Sequence, residues 1–177
     1  MIQAQKLNPD LPKTYFNLAS AAQKLGNFDE ALKYLEIYRK MAPNDISTYC
    51  SLGMIYLNKI SRESSAPGKQ KLQDQGVEQL KLTIAKSDAK NKPWQAPWVV
   101  LAAKTLAKIA LGRKDYPEAL TYLNKSEEIY SEDSELHYFY GQVYKALGNK
   151  AEARKHLEKA QKLAPDNQDI KNELKGM

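Results

Sequence analysis

The chain has 177 residues, of which 42% are hydrophobic and 27% are charged, a composition that suits one domain with a core or an array of small units and excludes a disordered chain. A single cysteine excludes an internal disulfide and a cysteine-based zinc cluster, and no apolar run approaches the roughly 18 residues of a membrane span. The net charge is +6, but acidic residues are interspersed along most of the chain, and the local basic excess lies between Lys59 and Lys92.

The first residues, 1–11, match the end of a helix from a preceding structural unit. Ala4, Leu7 and Pro9 are in phase with a later unit that ends at Pro43. The sequence therefore predicts that the chain begins inside a unit, as a piece of a longer protein would, with a natural chain that has a partial first unit as the alternative. On this interpretation the sequence leaves the location unknown: cytoplasmic, or membrane-anchored or periplasmic if a missing N-terminus carries a signal or an anchor. Any membrane contact would then be made by a part of the protein outside this chain.

Residues 12–45 predict a hairpin of two helices. Apolar and small side chains recur at helical spacing from Tyr15 to Ala22 and again from Ala31 to Tyr38. Between these two runs, Gly26 can end the first helix in a left-handed backbone conformation.

The octet at this turn, "LGNFDEAL" in residues 25–32, returns as "LGNKAEAR" in residues 147–154. The distance between the two copies equals three periods of about 34 residues plus some extra residues, which lie between the copies. The same period separates Pro9 from Pro43 and Ala119 from Ala153. This period predicts an array of helix hairpins whose middle members contain the extra residues.

The chain resembles the tetratricopeptide repeat (TPR) family. The strongest matches to its pattern are Tyr15, Leu18, Ala19, Gly26, Ala31 and Pro43 in the first full unit, and Tyr140, Gly141, Tyr144, Gly148, Ala153 and Pro165 in the last. The resemblance implies an all-α fold, a right-handed α-solenoid of antiparallel helix hairpins in which small side chains let paired helices approach closely. It divides the chain into the end of a truncated repeat (1–11), repeat 1 (12–45), repeat 2 (46–92, with an insertion near 59–75), repeat 3 (93–133, with a lengthened first helix), repeat 4 (134–167) and a C-terminal capping helix (168–177).

The insertion in repeat 2 contains "RESSAPGKQK", which reads as a loop, and Lys69 to Gln75 are expected to lengthen the following helix. The loop is either a passive surface extension or a functional site. Trp94 and Trp98 follow the linker "SDAKNKP". We expect them to pack on the lengthened helix, with anchoring of a partner as the alternative.

The first helix of repeat 3 has two possible registers. One uses Trp98, Leu101 and Ala102 as its opening, and the other uses Leu106, Ala107 and Ala110. The sequence leaves both open.

In the TPR family the first helices of successive repeats line a concave groove, which is the usual ligand site. The resemblance implies that the groove residues here are Lys13, Phe16, Ser20, Gln23, Ser47, Cys50, Met54, Leu57, Val99, Ala103, Leu106, Tyr138, Gln142 and Lys145. The alternative for Met54, Leu57 and Leu106 is that they are core residues. Such a mostly apolar surface suits an amphipathic helix or an apolar segment of a partner protein. Phe16 and Ser20 stand where chaperone-binding members have Lys and Asn, so the sequence does not favour a chaperone C-terminal tail.

The sequence predicts no catalysis, no cofactor and no metal site, because it contains no phosphate-binding loop and no catalytic motif. His137 is expected to be packed or half-exposed, His156 to be solvated on a charged face, and Cys50 to be a small buried or groove-lining residue.

We therefore predict a non-catalytic adaptor that binds a protein segment. Two alternatives are binding of nucleic acid or an anionic surface through Lys59, Arg62, Lys69 and Lys71, and self-association through the repeat ends, which would make a homo-oligomer.

Overall fold

A computed structural model describes residues 11–177 of the chain, so the helix expected within residues 1–11 lies almost entirely outside it. The described part is all-α, as predicted, with nine α-helices. They are α1 (Pro12–Lys24), α2 (Phe28–Met41), α3 (Ile46–Lys59), α4 (Ala66–Ala85), α5 (Ala96–Gly112), α6 (Tyr116–Glu127), α7 (Ser134–Ala146), α8 (Lys150–Leu163) and α9 (Gln168–Lys175), with short 3-10 helices at Ile60–Arg62 and Pro93–Gln95. Within these residues, none of the helices combines the length and the apolar character needed to span a bilayer.

The chain divides into two compact units, an N-terminal unit that ends at Trp98 and a C-terminal unit that starts at Val99. The boundary falls inside α5. Each unit has its own hydrophobic core, so each is described by itself.

In the N-terminal unit, α1 and α2 form one hairpin and α3 and α4 form the next. Gly26 ends α1 with a φ of +75°, the left-handed conformation that the sequence predicted. The core between the first three helices is made of small and branched side chains, namely Ala19, Ala22, Ala31, Leu35, Leu52 and Ile55.

The α3–α4 hairpin crosses at two glycines. A Cβ atom built on Gly53 would lie 3.0 Å from the carbonyl oxygen of Gly76, and one built on Gly76 would lie 3.1 Å from the carbonyl oxygen of Gly53. Any side chain at either position would press on the opposite backbone. The helices pack this closely because both residues lack a Cβ.

The insertion in repeat 2 is more helical than the sequence indicated. Helix α4 begins at Ala66, with the Ser65 hydroxyl accepting a hydrogen bond from the Gly68 backbone N–H and Pro67 in the first turn. The 20-residue α4 therefore includes Ala66–Gly68, which the sequence had placed in a loop.

In the C-terminal unit, α7 and α8 form a hairpin, and the short α9 packs on α8. The core includes Ala107, Ala110, Ala119, Leu123, Leu136 and Tyr140. Of the two registers left open for repeat 3, this core favours the second, because Ala107 and Ala110 of α5 pack with Ala119 of α6. Lys114 adds independent support, because it lies five residues before Ala119, as Gly26 lies before Ala31 and Gly148 before Ala153. Its φ of 61° gives it the left-handed conformation of those two glycines.

Candidate functional site

An open cleft in the N-terminal unit has a volume of about 520 Å³. We call it the N-terminal cleft. Its walls come from α1, from the connection between α2 and α3, and from residues 92–98. The lining residues used below are Lys13, Phe16, Asn17, Lys92, Trp94 and Trp98. Three of the predicted groove residues, Lys13, Phe16 and Ser47, are therefore in this cleft.

Aromatic rings form the apolar part of the N-terminal cleft. The ring of Phe16 lies 5.3 Å from that of Tyr38 and 6.3 Å from that of Trp98, to which it is nearly perpendicular. Such edge-to-face pairs are favourable beyond the area that they bury. Trp98 therefore meets a ring of α1, which the sequence did not foresee. Trp94 is 69% exposed, so the expectation that it packs on the lengthened helix is wrong.

The connection before α5 sets the position of both tryptophans. Gln95, which follows Trp94 directly, is buried, and its side-chain oxygen accepts a hydrogen bond of 2.7 Å from the backbone N–H of Asp88. This bond ties the 3-10 turn Pro93–Gln95 to the start of the connection, with Trp94 left in solvent.

Cys50 was predicted to line the groove or to be buried, and it is fully buried. Its Sγ atom lies 3.7 Å from the backbone carbonyl oxygen of Trp98. Burial raises the pKa of the Cys50 thiol to about 12, so the thiolate form, which would be the nucleophile, is disfavoured at neutral pH.

The other predicted groove residues of this unit have different surroundings. Ser20, Gln23 and Met54 are half-buried. Leu57 points into the α3–α4 hairpin, where its Cγ atom would lie 2.8 Å from a Cβ built on Gly76. Leu57 therefore contributes to hairpin packing, and a role in ligand binding for these four residues stays a prediction.

The carboxylate of Asp45 holds the start of α3 at the edge of the N-terminal cleft. It accepts hydrogen bonds from the Ser47 backbone N–H at 3.0 Å and from the Tyr38 hydroxyl. Burial, together with the bond to Asp45, raises the pKa of Tyr38 to about 12. Tyr38 thus stays a neutral donor over the whole physiological range.

A second open cleft, which we call the C-terminal cleft, lies in the C-terminal unit and has a volume of about 530 Å³. Tyr138 and Gln142 of α7 line it, as do Lys108 and Leu111 of α5 and Asp169 of α9. Lys145, one turn beyond Gln142, makes an ion pair of 2.5 Å with Glu173 of α9. Two of the three predicted residues of repeat 4 are therefore in this cleft, and the third is paired beside it.

The groove residues predicted for repeat 3 are interior residues. Val99, Ala103 and Leu106 are all buried, and none of them lines the C-terminal cleft. They were chosen from the first register, whereas in the second register the predicted groove positions of repeat 1 correspond to Leu101, Lys104, Lys108 and Leu111. Binding by the predicted three stays a prediction. The signal that could have found Lys108 and Leu111 is the interval from Ala107 to Ala119, which equals the interval from Ala19 to Ala31 in repeat 1.

Lys104 is held by two carboxylates, at 2.7 Å from Asp133 and 2.8 Å from Glu135. Burial alone would lower the pKa of Lys104, but the bonds to these carboxylates outweigh it and raise the pKa. Burial would likewise raise the pKa of Asp133, and the bonds from Lys104 and from the Leu136 backbone N–H lower it instead. Asp133 also caps α7, so this cluster fixes the connection between α6 and α7.

Two histidines meet inside the α7–α8 hairpin. Nδ1 of His137 lies 3.0 Å from Nδ1 of His156, and Nε2 of His137 lies 2.9 Å from the carbonyl oxygen of Ser131. A carbonyl can only accept, so Nε2 of His137 carries a proton, and its Nδ1 accepts from Nδ1–H of neutral His156. The packed position expected for His137 is confirmed. The solvated position expected for His156 is wrong, because its side chain is only 14% exposed and its ring stacks on Tyr140 at 4.5 Å.

Two basic residues of the insertion contact repeat 1. Lys59 pairs with Asp29, and Arg62 donates to the carbonyl oxygen of Gly26 and lies over the ring of Phe28 at 4.6 Å. Lys69 and Lys71 are exposed. The described residues contain no cluster of three or more His, Cys, Asp or Glu side chains that could hold a metal ion.

Comparison with known proteins agrees with this architecture. Two family models described as tetratricopeptide repeat match the chain, at residues 12–45 and 110–174, which together make up more than half of it. No curated protein matches the chain. The chain belongs to the tetratricopeptide repeat family, whose members are in general non-catalytic and bind other proteins.

Similar solved structures share the fold at low sequence identity. A thermophilic TPR protein of Thermus thermophilus is 22% identical, with a TM-score of 0.68 over 98% of this chain and 84% of that one. MamA from residue 41 to its end, from Desulfovibrio magneticus, is 19% identical, with a TM-score of 0.69 over 92% and 81%. A chain of the APC/C hetero-tetramer Cut9-Hcn1 is 20% identical, with a TM-score of 0.66 over 92% of this chain and 29% of that one.

Proposed function

We propose that the chain is a non-catalytic adaptor that holds a segment of a partner protein, an amphipathic helix or an apolar extended stretch, on the groove side of its repeats. The observation that carries the proposal is that the first helices of repeats 1 and 4 each line an open cleft with an aromatic side chain. These side chains are Phe16 in the N-terminal cleft and Tyr138 in the C-terminal cleft. Aromatic side chains in partly open clefts are typical anchors of protein interfaces.

The proposed adaptor has the repeat division given by the sequence, with repeats at residues 12–45, 46–92, 93–133 and 134–167 and a capping helix at 168–177. Each repeat uses two consecutive helices, from α1 and α2 in repeat 1, through α3 and α4 and then α5 and α6, to α7 and α8 in repeat 4. Repeat 3 is then read in the register of Ala107 and Ala119. This register adds Lys108 and Leu111 to the residues proposed to contact a partner.

Binding of nucleic acid through the basic insertion has less support than protein binding. Lys59 and Arg62 are engaged with Asp29, Gly26 and Phe28 of repeat 1. Only the exposed Lys69 and Lys71 of the four predicted contacts would meet phosphates without giving up such contacts.

The adaptor proposal is tested by titrating the chain with synthetic peptides while recording backbone amide shifts. The panel contains amphipathic helices of on the order of 15 residues and extended apolar peptides of the same length. Shifts are expected in α1 and α7, and Phe16→Ala or Tyr138→Ala should weaken binding at least about tenfold. Tyr34→Ala in α2, which is outside both clefts, is the matched control and should leave the affinity unchanged. Shifts confined to α2, α6 and α8 would contradict the proposal.

A further inference from the structure

The N-terminal cleft combines aromatic surface with two cations. Trp94 lies at the edge of the cleft and is 69% exposed, and the rings of Phe16 and Trp98 form the floor of the cleft. Lys13 and Lys92 line it with positive charge. Among the described lining residues Asp45 supplies the one carboxylate, and it already accepts bonds from Tyr38 and Ser47. Lys92 also makes a long surface ion pair of 3.8 Å with Asp88, which contributes little. The cleft thus fits an aromatic side chain that carries carboxylates close beside it.

The chain itself contains a segment with this chemistry. Residues 128–133, which we call the Tyr130 loop, connect α6 to α7 and read Glu-Ile-Tyr-Ser-Glu-Asp. Tyr130 is 54% exposed, and Glu128 and Glu132 on either side of it are exposed as well. Within the described residues these two carboxylates pair with Lys125 and Lys159, both at the surface. Ion pairs of this kind contribute little, so their carboxylates can exchange partners at small cost.

The Tyr130 loop is also held in one conformation at both ends. The backbone N–H of Tyr130 donates to the carbonyl oxygen of Ser126 at 2.9 Å, and the carbonyl oxygen of Ser131 accepts from His137 at 2.9 Å. Asp133, at the end of the loop, is paired with Lys104. A segment that is ordered before binding loses little conformational entropy when it docks, which favours association.

We propose that the chain associates with a second copy of itself by docking the Tyr130 loop of one copy into the N-terminal cleft of the other. Tyr130 packs against Trp94 and Phe16, and Glu128 and Glu132 face Lys13 and Lys92. The two surfaces differ, so the contact is heterologous, and the assembly either extends from copy to copy or closes into a ring. The inference rests on the proposed function in taking the N-terminal cleft as a protein-binding surface, and it names an acidic loop with an aromatic side chain as a further kind of occupant.

The first test is sedimentation velocity over a range of concentrations, in ~0.1 M and ~1 M NaCl, where the Debye length is about 10 Å and about 3 Å. The average mass should rise with concentration, and the association should weaken at the higher salt. Tyr130→Ala and Glu132→Lys should each raise the dissociation constant at least about tenfold. The matched control is Leu147→Ala, because Leu147 is a large apolar residue with a similar exposure of 50% in another connection. Circular dichroism confirms that each variant is folded.

A charge exchange makes the test specific. Lys92→Glu should abolish association, and Lys92→Glu combined with Glu132→Lys should restore it. A synthetic peptide of residues 126–135 should compete with association. It should also change the fluorescence of the wild-type chain, whose two tryptophans both line the N-terminal cleft.

The outcomes separate this inference from the adaptor proposal. A chain that stays monomeric at all concentrations overturns the inference, even if other peptides bind in either cleft and so support the adaptor role. Association that Leu147→Ala weakens as much as Tyr130→Ala does also overturns it. A chain that neither associates nor binds any peptide contradicts both proposals.

Discussion

In the α3–α4 hairpin of the N-terminal unit and in the α7–α8 hairpin of the C-terminal unit, the two helices cross at the same repeat position. The group that would clash with a larger side chain at the crossing differs between the two hairpins. In α3–α4, a Cβ on Gly53 would meet the opposite backbone, at 3.0 Å from the Gly76 carbonyl oxygen. In α7–α8, a Cβ on Gly141 would be 3.4 Å from the Ala153 carbonyl oxygen, an ordinary contact, and its clash is with the Leu157 side chain. The size of the side chain at one equivalent position can therefore be limited by the opposite backbone in one repeat and by an opposite side chain in another.

The largest effect on the free energy of unfolding is expected where an added Cβ would meet the backbone of the opposite helix. Gly53→Ala should lower the free energy of unfolding by about 2–3 kcal/mol, because the helices must separate to admit the methyl group. The added Cβ would also lie 2.8 Å from Cγ of the buried Leu80. Urea unfolding followed by circular dichroism measures the change. The matched control is Gly112→Ala, since a Cβ there would have no neighbour within 4 Å. Gly112 is the exposed last residue of α5, so the substitution should change the free energy of unfolding by no more than about 0.5 kcal/mol. A Gly53→Ala chain as stable as the Gly112→Ala chain would show that the close crossing does not exist.

A smaller effect is expected at Gly141, and a double-mutant cycle shows its cause. Gly141→Ala should cost about 1–2 kcal/mol, because its Cβ would lie 2.5 Å from Cγ of Leu157. In a Leu157→Ala background this clash is absent, so the substitution should cost nothing or stabilise the helix. The parallel cycle of Gly53→Ala with Leu80→Ala should keep most of its cost, because the Gly76 carbonyl oxygen remains in place. Equal behaviour of the two cycles would remove the distinction between the hairpins.

The crossings themselves were predictable from sequence. The repeat period, with small residues at one fixed interval inside each repeat, places Ala19 against Ala31 and Gly141 against Ala153, and all four are buried. The same interval does not place Gly53 against Gly76, because the insertion lies between these two glycines and lengthens the distance along the chain. The extra residues enter α4 as added helix, which leaves the crossing unchanged.

The register of repeat 3 was not fixed by its local pattern. Trp98 and Ala102 imitate the opening of a repeat, while Lys114 occupies the left-handed turn position where repeats 1 and 4 have glycine. A lysine rarely adopts this conformation, so it gives no turn signal in the sequence. For this reason the first register gave Val99, Ala103 and Leu106, which are buried, whereas Lys108 and Leu111 line the C-terminal cleft.

Trp94 stands in a connection held by local hydrogen bonds, such as those from the Asp88 backbone N–H to Gln95 and from the Lys92 backbone N–H to Asp88, that no spacing indicates. The histidine pair, by contrast, could have been found. His137 precedes Gly141 by one helical turn, and His156 follows Ala153 by about one turn on the antiparallel helix. Residues about one turn from a crossing, on the facing sides of its two antiparallel helices, lie close together.

The smallest effect is the pH dependence that this histidine pair adds to the C-terminal unit. Burial, and then the neighbouring His137, lower the pKa of His156 below its usual 6.5, against the opposing influence of Glu127 and Glu152. The unfolded chain therefore binds this proton more strongly than the folded one. The stability that neutral His156 contributes is complete above about pH 6.5 and is lost as the pH falls through the lowered pKa. His156→Asn keeps an N–H that can donate to Nδ1 of His137 but does not titrate. The free energy of unfolding, measured from pH 7 to pH 5, should fall more for the wild type than for His156→Asn. Both chains share every carboxylate, so the difference between their slopes belongs to the histidine pair, and equal slopes would mean that His156 titrates as freely in the folded chain as in the unfolded one.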